Sequence, residues 1–87
     1  MRKVWKYPLK ITGWSQEFMI PLDGKIVHVD NQDNAPMLWV EVYPDAPKET
    51  RTFYVFGTGH PIPPFWEHVG TCLITPFVWH IYEWRID

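Results

Sequence analysis

Nine prolines spread along 87 residues limit this chain more than any other feature. Each lacks an N–H and fixes φ, so it breaks a helix and is kept out of a central strand. Little room is left for a long helix. Between the prolines the apolar residues alternate with period two, the spacing of strands. Lys3 to Ile11 puts Trp5, Tyr7, Leu9 and Ile11 on one side and Lys6 and Lys10 on the other, with Pro8 marking a sheet edge or a bend. After a turn at Gly13-Trp14-Ser15, Gln16 to Leu22 aligns Phe18, Ile20 and Leu22. Asp23-Gly24 is a two-residue hairpin signal and leads into Lys25 to Asp30, with Val27 and Val29 facing one way and Ile26 and His28 the other.

A polar turn, Asn31 to Pro36, precedes Met37 to Tyr43, which sets Leu38, Val40 and Val42 against Trp39, Glu41 and Tyr43. Pro44-Asp45-Ala46-Pro47 has turn chemistry and joins this strand to Glu49–Phe56, so the two predict a long hairpin. Phe65 to Val69 predicts a single helical turn, started by Pro64 and stopped by Gly70. Thr71–Thr75 and Phe77–Trp84 are the last strands, with a bend at Pro76. The expected fold is mainly β. It is a compact antiparallel sheet, barrel-like or a sandwich, of six to seven strands with one short helical turn, and residues 1–87 form one domain.

A domain this small has a thin core and needs a supplement. An internal disulfide is excluded, because Cys72 is the only cysteine. Lying in the apolar run Cys72-Leu73-Ile74, it reads as a small buried hydrophobe. The chain does not open on a charged-then-apolar leader, and no apolar run approaches the ~18 residues that span a bilayer. A lone thiol then fits a reducing, intracellular compartment. Net charge of −2 gives no global field for a long nucleic acid.

Aromatic content points to the supplement. Six Trp, four Tyr and five Phe are more than a thin core can hold. The final strand is apolar on both faces: Phe77, Trp79 and Ile81 on one, and Val78, Tyr82 and Trp84 with His80 on the other. Such a strand is covered on both sides, and a large exposed apolar patch is abnormal on a monomer. A homo-oligomer is expected.

Chemistry has few candidates. Gly57-Thr58-Gly59-His60 comes directly after a strand. Glycines allow close backbone approach, and successive N–H groups in such a turn can cradle an anion. Thr58 and His60 add side-chain donors. Arg51 lies on the order of 20 Å back along an extended chain, so it reaches this corner only from a neighbouring strand or subunit. The segment lacks the lysine, spacing and helix of nucleotide-binding fingerprints. A tight turn with no ligand is the plainer reading. His28, His60, His68 and His80 show no metal-site spacing, and no metal or cofactor is expected. Glu41, Glu67 and Glu83 are acid–base candidates by composition alone, and no catalytic constellation emerges, so an enzyme is not expected. Trp14 and Trp66 fall in expected loops or turns, where binding residues concentrate.

Val4-Trp5-Lys6-Tyr7-Pro8-Leu9, the stretch Pro44 to Phe53, Phe56-Gly57-Thr58-Gly59-His60-Pro61-Ile62 and Gly70-Thr71 together resemble a family of small uncharacterised bacteriophage and prophage proteins. The likeness spans nearly the whole chain, and the Phe-Gly-Thr-Gly-His-Pro-Ile segment is its most specific part. It implies a phage origin and action in the cytoplasm of the bacterial host. No catalytic residue is implied.

Small phage proteins often bind a host molecule, and one class sequesters nucleotide immune signals at oligomer interfaces. The leading expectation is therefore a non-catalytic, oligomeric anti-defence sponge for a nucleotide-like small molecule. Thr58, Gly59 and His60 would hold phosphate or ribose, Arg51 would supply charge, and Trp66 or Trp14 would stack on a base. The rival is a protein–protein module whose aromatic surface docks on a host protein and inhibits it.

Overall fold

The computed structural model describes residues 1–86. Seven strands run in the order β1 (Lys3–Pro8), β2 (Gln16–Pro21), β3 (Lys25–Gln32), β4 (Ala35–Val42), β5 (Lys48–Gly57), β6 (Trp66–Ile74) and β7 (Phe77–Trp84). They form two antiparallel sheets, one of three strands ordered β1-β4-β3 and one of four ordered β2-β5-β7-β6. The mainly β expectation holds, and the sheets face each other as a sandwich.

Inward residues alternate as the period-two pattern requires. Leu38, Val40 and Val42 of β4 meet Phe53 and Val55 of β5, Ile20 of β2, Ile81 of β7, Cys72 of β6 and Leu9 in one buried cluster. The sheets approach most closely where β3 packs on β6. A side chain at Gly70 would start 2.5 Å from Val29, so only glycine lets these strands lie so near. Asn31 Nδ2 donates to Leu73 O across the same seam at 3.2 Å.

Several sequence expectations are corrected. Asp23-Gly24 does not make a β-hairpin, because β2 and β3 belong to different sheets. Gly24 instead carries the chain across the sandwich, and its buried backbone sits against Ile20 and Val40. The long hairpin expected from Met37 to Phe56 is likewise a crossover. β4 pairs with β1 and β3, while β5 pairs with β2 and β7. Both β4 and β5 have a buried inward face, and placing them in opposite sheets lets those faces pack on each other.

The segment read as a polar turn is mostly strand. Only Asp33 and Asn34 turn, with φ of 55° and 62°, the paired left-handed geometry of a tight hairpin. The helical turn at Phe65–Val69 is absent. Phe65 has φ of 74°, outside the helical region, and Trp66 begins β6. A single turn there would have had little intrinsic stability, whereas β6 gains a full ladder on β7.

Two bulges also escape a period-two reading. Register shifts lie between Ile26 and His28 and between His68 and Gly70. Each extra residue re-aims the side chains after it, so Ile26 and Val29 both turn to the core although they fell on opposite faces by alternation. β1 stops at Pro8. Beyond it the Gln16 side chain takes the place of a strand partner for Lys10, accepting from Lys10 N at 2.8 Å and donating to Lys10 O at 2.5 Å. Ile11 is exposed rather than buried.

Candidate functional site

The β5–β7 ladder has a depression at each end. The larger, about 840 Å³, lies among Asp23, Lys25, Glu49, Arg51, Glu83 and Arg85. The smaller, about 420 Å³, is lined by Gly57, Thr58, His60, Pro76, Phe77, Val78 and Trp79.

The larger one is organised around a carboxylate. Glu83 sits on the inward face of β7 and its side chain is 3% exposed. Arg51, inward on β5, donates from Nε to Glu83 Oε2 at 2.6 Å and from Nη2 to Oε1 at 2.8 Å. Its Nη1 donates to Gly24 O at 2.5 Å. Arg85 approaches Glu83 Oε1 at 3.1 Å from the solvent side. A buried charge needs this degree of pairing. Hydrogen bonding to Glu83 pushes the Arg51 pKa above its ordinary value, against the opposing effect of burial. Each nitrogen of the guanidinium thus has a partner, and the depression holds charges of both signs.

The smaller pocket contains the glycine-rich corner. Gly59 has φ of 88°, the left-handed turn that glycine accepts at little cost. His60 N donates to Gly57 O at 3.1 Å, and Gly57 N donates to His60 Nδ1 at 3.1 Å. Both N–H groups are used inside the turn, which removes them from any anion cradle. The His60 ring lies over Gly57, where an added Cβ would come within 2.8 Å of it.

Thr58 Oγ1 lies 2.9 Å from His80 Nε2 and 3.4 Å from Val78 O. A carbonyl only accepts, which favours a tautomer in which His80 Nε2 donates to Thr58. The chain continues through His80 Nδ1 to Thr71 Oγ1 at 3.0 Å and on to His68 Nε2 at 2.8 Å. Opposite the corner stand two rings from the start of β7. Phe77 is 62% exposed, and its centroid lies 6.0 Å from that of Trp79.

The expected site residues therefore separate. Thr58 and His60 line the pocket, and Gly59 shapes the turn beside them. Arg51 is at the other end of the ladder and is bound to Glu83, so it does not serve this corner. Trp66 lies on a strand rather than in a loop, on the outward face of the four-stranded sheet, edge-on to Tyr54 at 5.8 Å and Trp84 at 5.2 Å. Trp14 is in a loop and 70% exposed, but it lines neither depression. Phe77 and Trp79 were missed as pocket residues. Their nearness to the corner, through Gly57 opposite Trp79, emerges only from strand pairing.

Other candidates are engaged elsewhere. Burial pushes the Cys72 thiol above its ordinary value, and nearby Asp30 adds to the rise; such a thiol is a poor nucleophile. Among the described residues, no group of three or more His, Cys, Asp or Glu is placed to hold a metal ion. No helix among them is long and apolar enough to cross a membrane.

Residues 1–86 match a domain of unknown function, DUF7352, and the chain belongs to that family. No curated protein and no solved structure matches it.

Proposed function

We propose that this member of the DUF7352 family is a non-catalytic binding protein that takes up a planar, nucleobase-bearing small molecule in the Thr58–Trp79 pocket and sequesters it. One observation carries this reading. The pocket sets two polar side chains, Thr58 and His60, against two aromatic rings, Phe77 and Trp79. Apolar walls with a few converging polar groups are the usual make-up of small-ligand sites, and about 420 Å³ falls in their size range. A base would stack on Phe77, and its edge or a ribose hydroxyl would bond Thr58 and His60.

The lining residues include neither Lys nor Arg. Recognition therefore rests on the base and sugar more than on phosphate. Support for binding without chemistry comes from the engagement of the reactive groups: Glu83 is clamped by arginine, and the Cys72 thiol is buried. The resemblance to phage proteins supports sequestration of a host nucleotide signal, in the host cytoplasm, as the setting.

Thermal-shift screening against nucleosides, mononucleotides, cyclic dinucleotides and ADP-ribose derivatives tests the reading, since a ligand of the folded state raises its apparent stability. A shift is expected with at least one base-bearing compound, and Phe77→Ala should abolish it while leaving the fold intact. No shift with any compound at millimolar concentration, or a shift unchanged in Phe77→Ala, overturns it. The rival reading, docking on a host protein, draws on the outward aromatic face of the four-stranded sheet.

A further inference from the structure

We infer that the outward face of the four-stranded sheet is the contact surface for a second copy of this chain, in a symmetric back-to-back dimer. The inference does not rest on the ligand reading, although face and pocket border each other at Val78 and at the Thr58–His80 hydrogen bond of 2.9 Å.

The molecule is a slab of 39 × 31 × 16 Å, so its two outer sheet faces are its broadest surfaces. They differ in chemistry. The three-stranded sheet presents charged and polar pairs: Arg2 with Glu41 at 3.0 Å, Lys6 with Gln32 at 2.6 Å and His28 with Asp30 at 3.4 Å. On the other face, the outward positions of β6, β7 and β5 from Thr50 to Phe56 carry no Asp, Glu, Lys or Arg among the described residues. Tyr54, Trp66, Tyr82 and Trp84 dominate it.

The rings on this face hold one another. Trp66 meets Tyr54, Phe56 and Trp84 edge-on at 5.8, 6.0 and 5.2 Å, and Tyr82 meets Phe56 at 5.3 Å. A rigid aromatic surface loses little side-chain freedom on docking. Backbone strain extends it. Phe65 adopts φ of 74°, a conformation that disfavours a bulky side chain and persists only when its surroundings impose it. Arg85 N donates to Phe65 O at 2.6 Å and pins the turn. The result is a ring 58% exposed and edge-on to Trp84 at 5.8 Å. That strain presents an apolar ring outward instead of burying it.

The polar groups of the face are prepared for burial. His68, Thr71 and His80 bond one another in steps of 2.8 and 3.0 Å, and Thr58 at the rim of the face holds the other nitrogen of His80 at 2.9 Å, so covering the face orphans few donors or acceptors. In a two-fold contact each residue lies near its own symmetry mate or that of a neighbour. Charged side chains would there confront like charges, whereas a neutral face meets no such repulsion. The neutral part is three strands wide, because Glu17 of β2 points outward opposite Thr52. Three strands about 4.8 Å apart and eight residues long, at about 3.3 Å each, give a projected patch of roughly 380 Å². Side-chain relief raises this, to the size of a weak, concentration-dependent contact, below the ~800 Å² per partner of a standard interface. Neutrality of β5, β6 and β7 and internally satisfied polar groups together favour a copy of the same face over a charged or strongly hydrogen-bonding partner.

Sedimentation equilibrium across a concentration series tests this on the whole chain. The expected result is a species of twice the 10.4 kDa chain mass. Leu73→Arg, at an exposed outward position of β6, should weaken association at least about tenfold, and Lys6→Glu on the other sheet should not. Phe65→Gly gives a second readout, because glycine accepts the positive φ. It should weaken the dimer without lowering the thermal stability of the monomer. A monomer at every concentration overturns the inference, as does a dimer whose affinity is unchanged by both Leu73→Arg and Phe65→Gly.

Discussion

Arg51 and Glu83 are 32 residues apart in sequence and meet as a two-pronged ion pair inside the four-stranded sheet, at 2.6 and 2.8 Å. The pair bears on folding more than on binding. Removing Arg51 leaves the buried Glu83 with Arg85 alone, at 3.1 Å, so the loss should be at most the about 3–5 kcal/mol of comparable broken pairs. Arg51→Ala should lower the urea midpoint accordingly, while the ligand uptake proposed for the Thr58–Trp79 pocket should be unchanged in the folded fraction. Loss of that uptake in folded Arg51→Ala protein would return Arg51 to the site.

Gly57→Ala separates pocket shape from stability. The three atoms nearest the new methyl all belong to the His60 ring, the first at 2.8 Å, and that ring belongs to an exposed side chain able to swing aside. Stability should change by less than about 1 kcal/mol, whereas ligand binding should fall because His60 leaves its place. Chemical denaturation and ligand titration on the same variant check both parts.

Gly70→Ala should behave in the opposite way. Here the methyl meets the branched carbon of Val29 at 2.5 Å, in a seam where neither sheet can retreat freely. Overpacking of this kind costs about 1–3 kcal/mol. The paired substitution Gly70→Ala with Val29→Ala should recover part of the loss, measured as non-additivity in denaturation midpoints.

Stability should decline in alkali. Burial raises the Cys72 thiol above its ordinary 9.0 in the folded protein. Above that pH the unfolded chain sheds its proton while the folded one keeps it, so unfolding gains. This stabilising contribution is complete below 9.0 and is lost as pH climbs through the folded value. Tyr7 acts in the same direction from 10.0 upward, because burial outweighs the pull of Arg51 on its phenolate. Urea midpoints should be flat around pH 8 and fall toward about pH 10, less steeply in Cys72→Ala.

Faces were legible in the sequence where alternation is unbroken. Leu38, Val40 and Val42 point inward as expected, as do Phe53 and Val55, and the bend at Pro76 joins β6 to β7. Pairing was not legible. Asp23-Gly24 has the composition of a hairpin turn, but composition does not say whether the next strand returns to the same sheet or crosses to the facing one. That choice is made by whole faces seeking cover, a tertiary effect. The bulges at Val27 and Val69 carry no local mark, and each inverts the alternation beyond it. For the site, Thr58 and His60 were readable from the glycines around them. Phe77 and Trp79 were not, since only the β5–β7 register brings them to the corner. Arg51 looked available because its partner, Glu83, is distant in sequence.

The close approach of Val29 to Gly70 has a kinetic consequence. Among the described residues, only β3–β4 and β6–β7 are strand neighbours joined by tight turns, at Asp33-Asn34 and Thr75-Pro76. Every other pairing must close a long loop before it gains contacts. The two hairpins can form early and independently, and Val29 on one touches Gly70 on the other. Their docking is then the natural nucleus, with β1, β2 and β5 joining afterwards. Substitutions at Val29 should slow refolding, whereas those at Ile20, on a strand that arrives late, should mainly hasten unfolding. A single glycine would thereby set not only how near the sheets lie but how quickly the chain finds them.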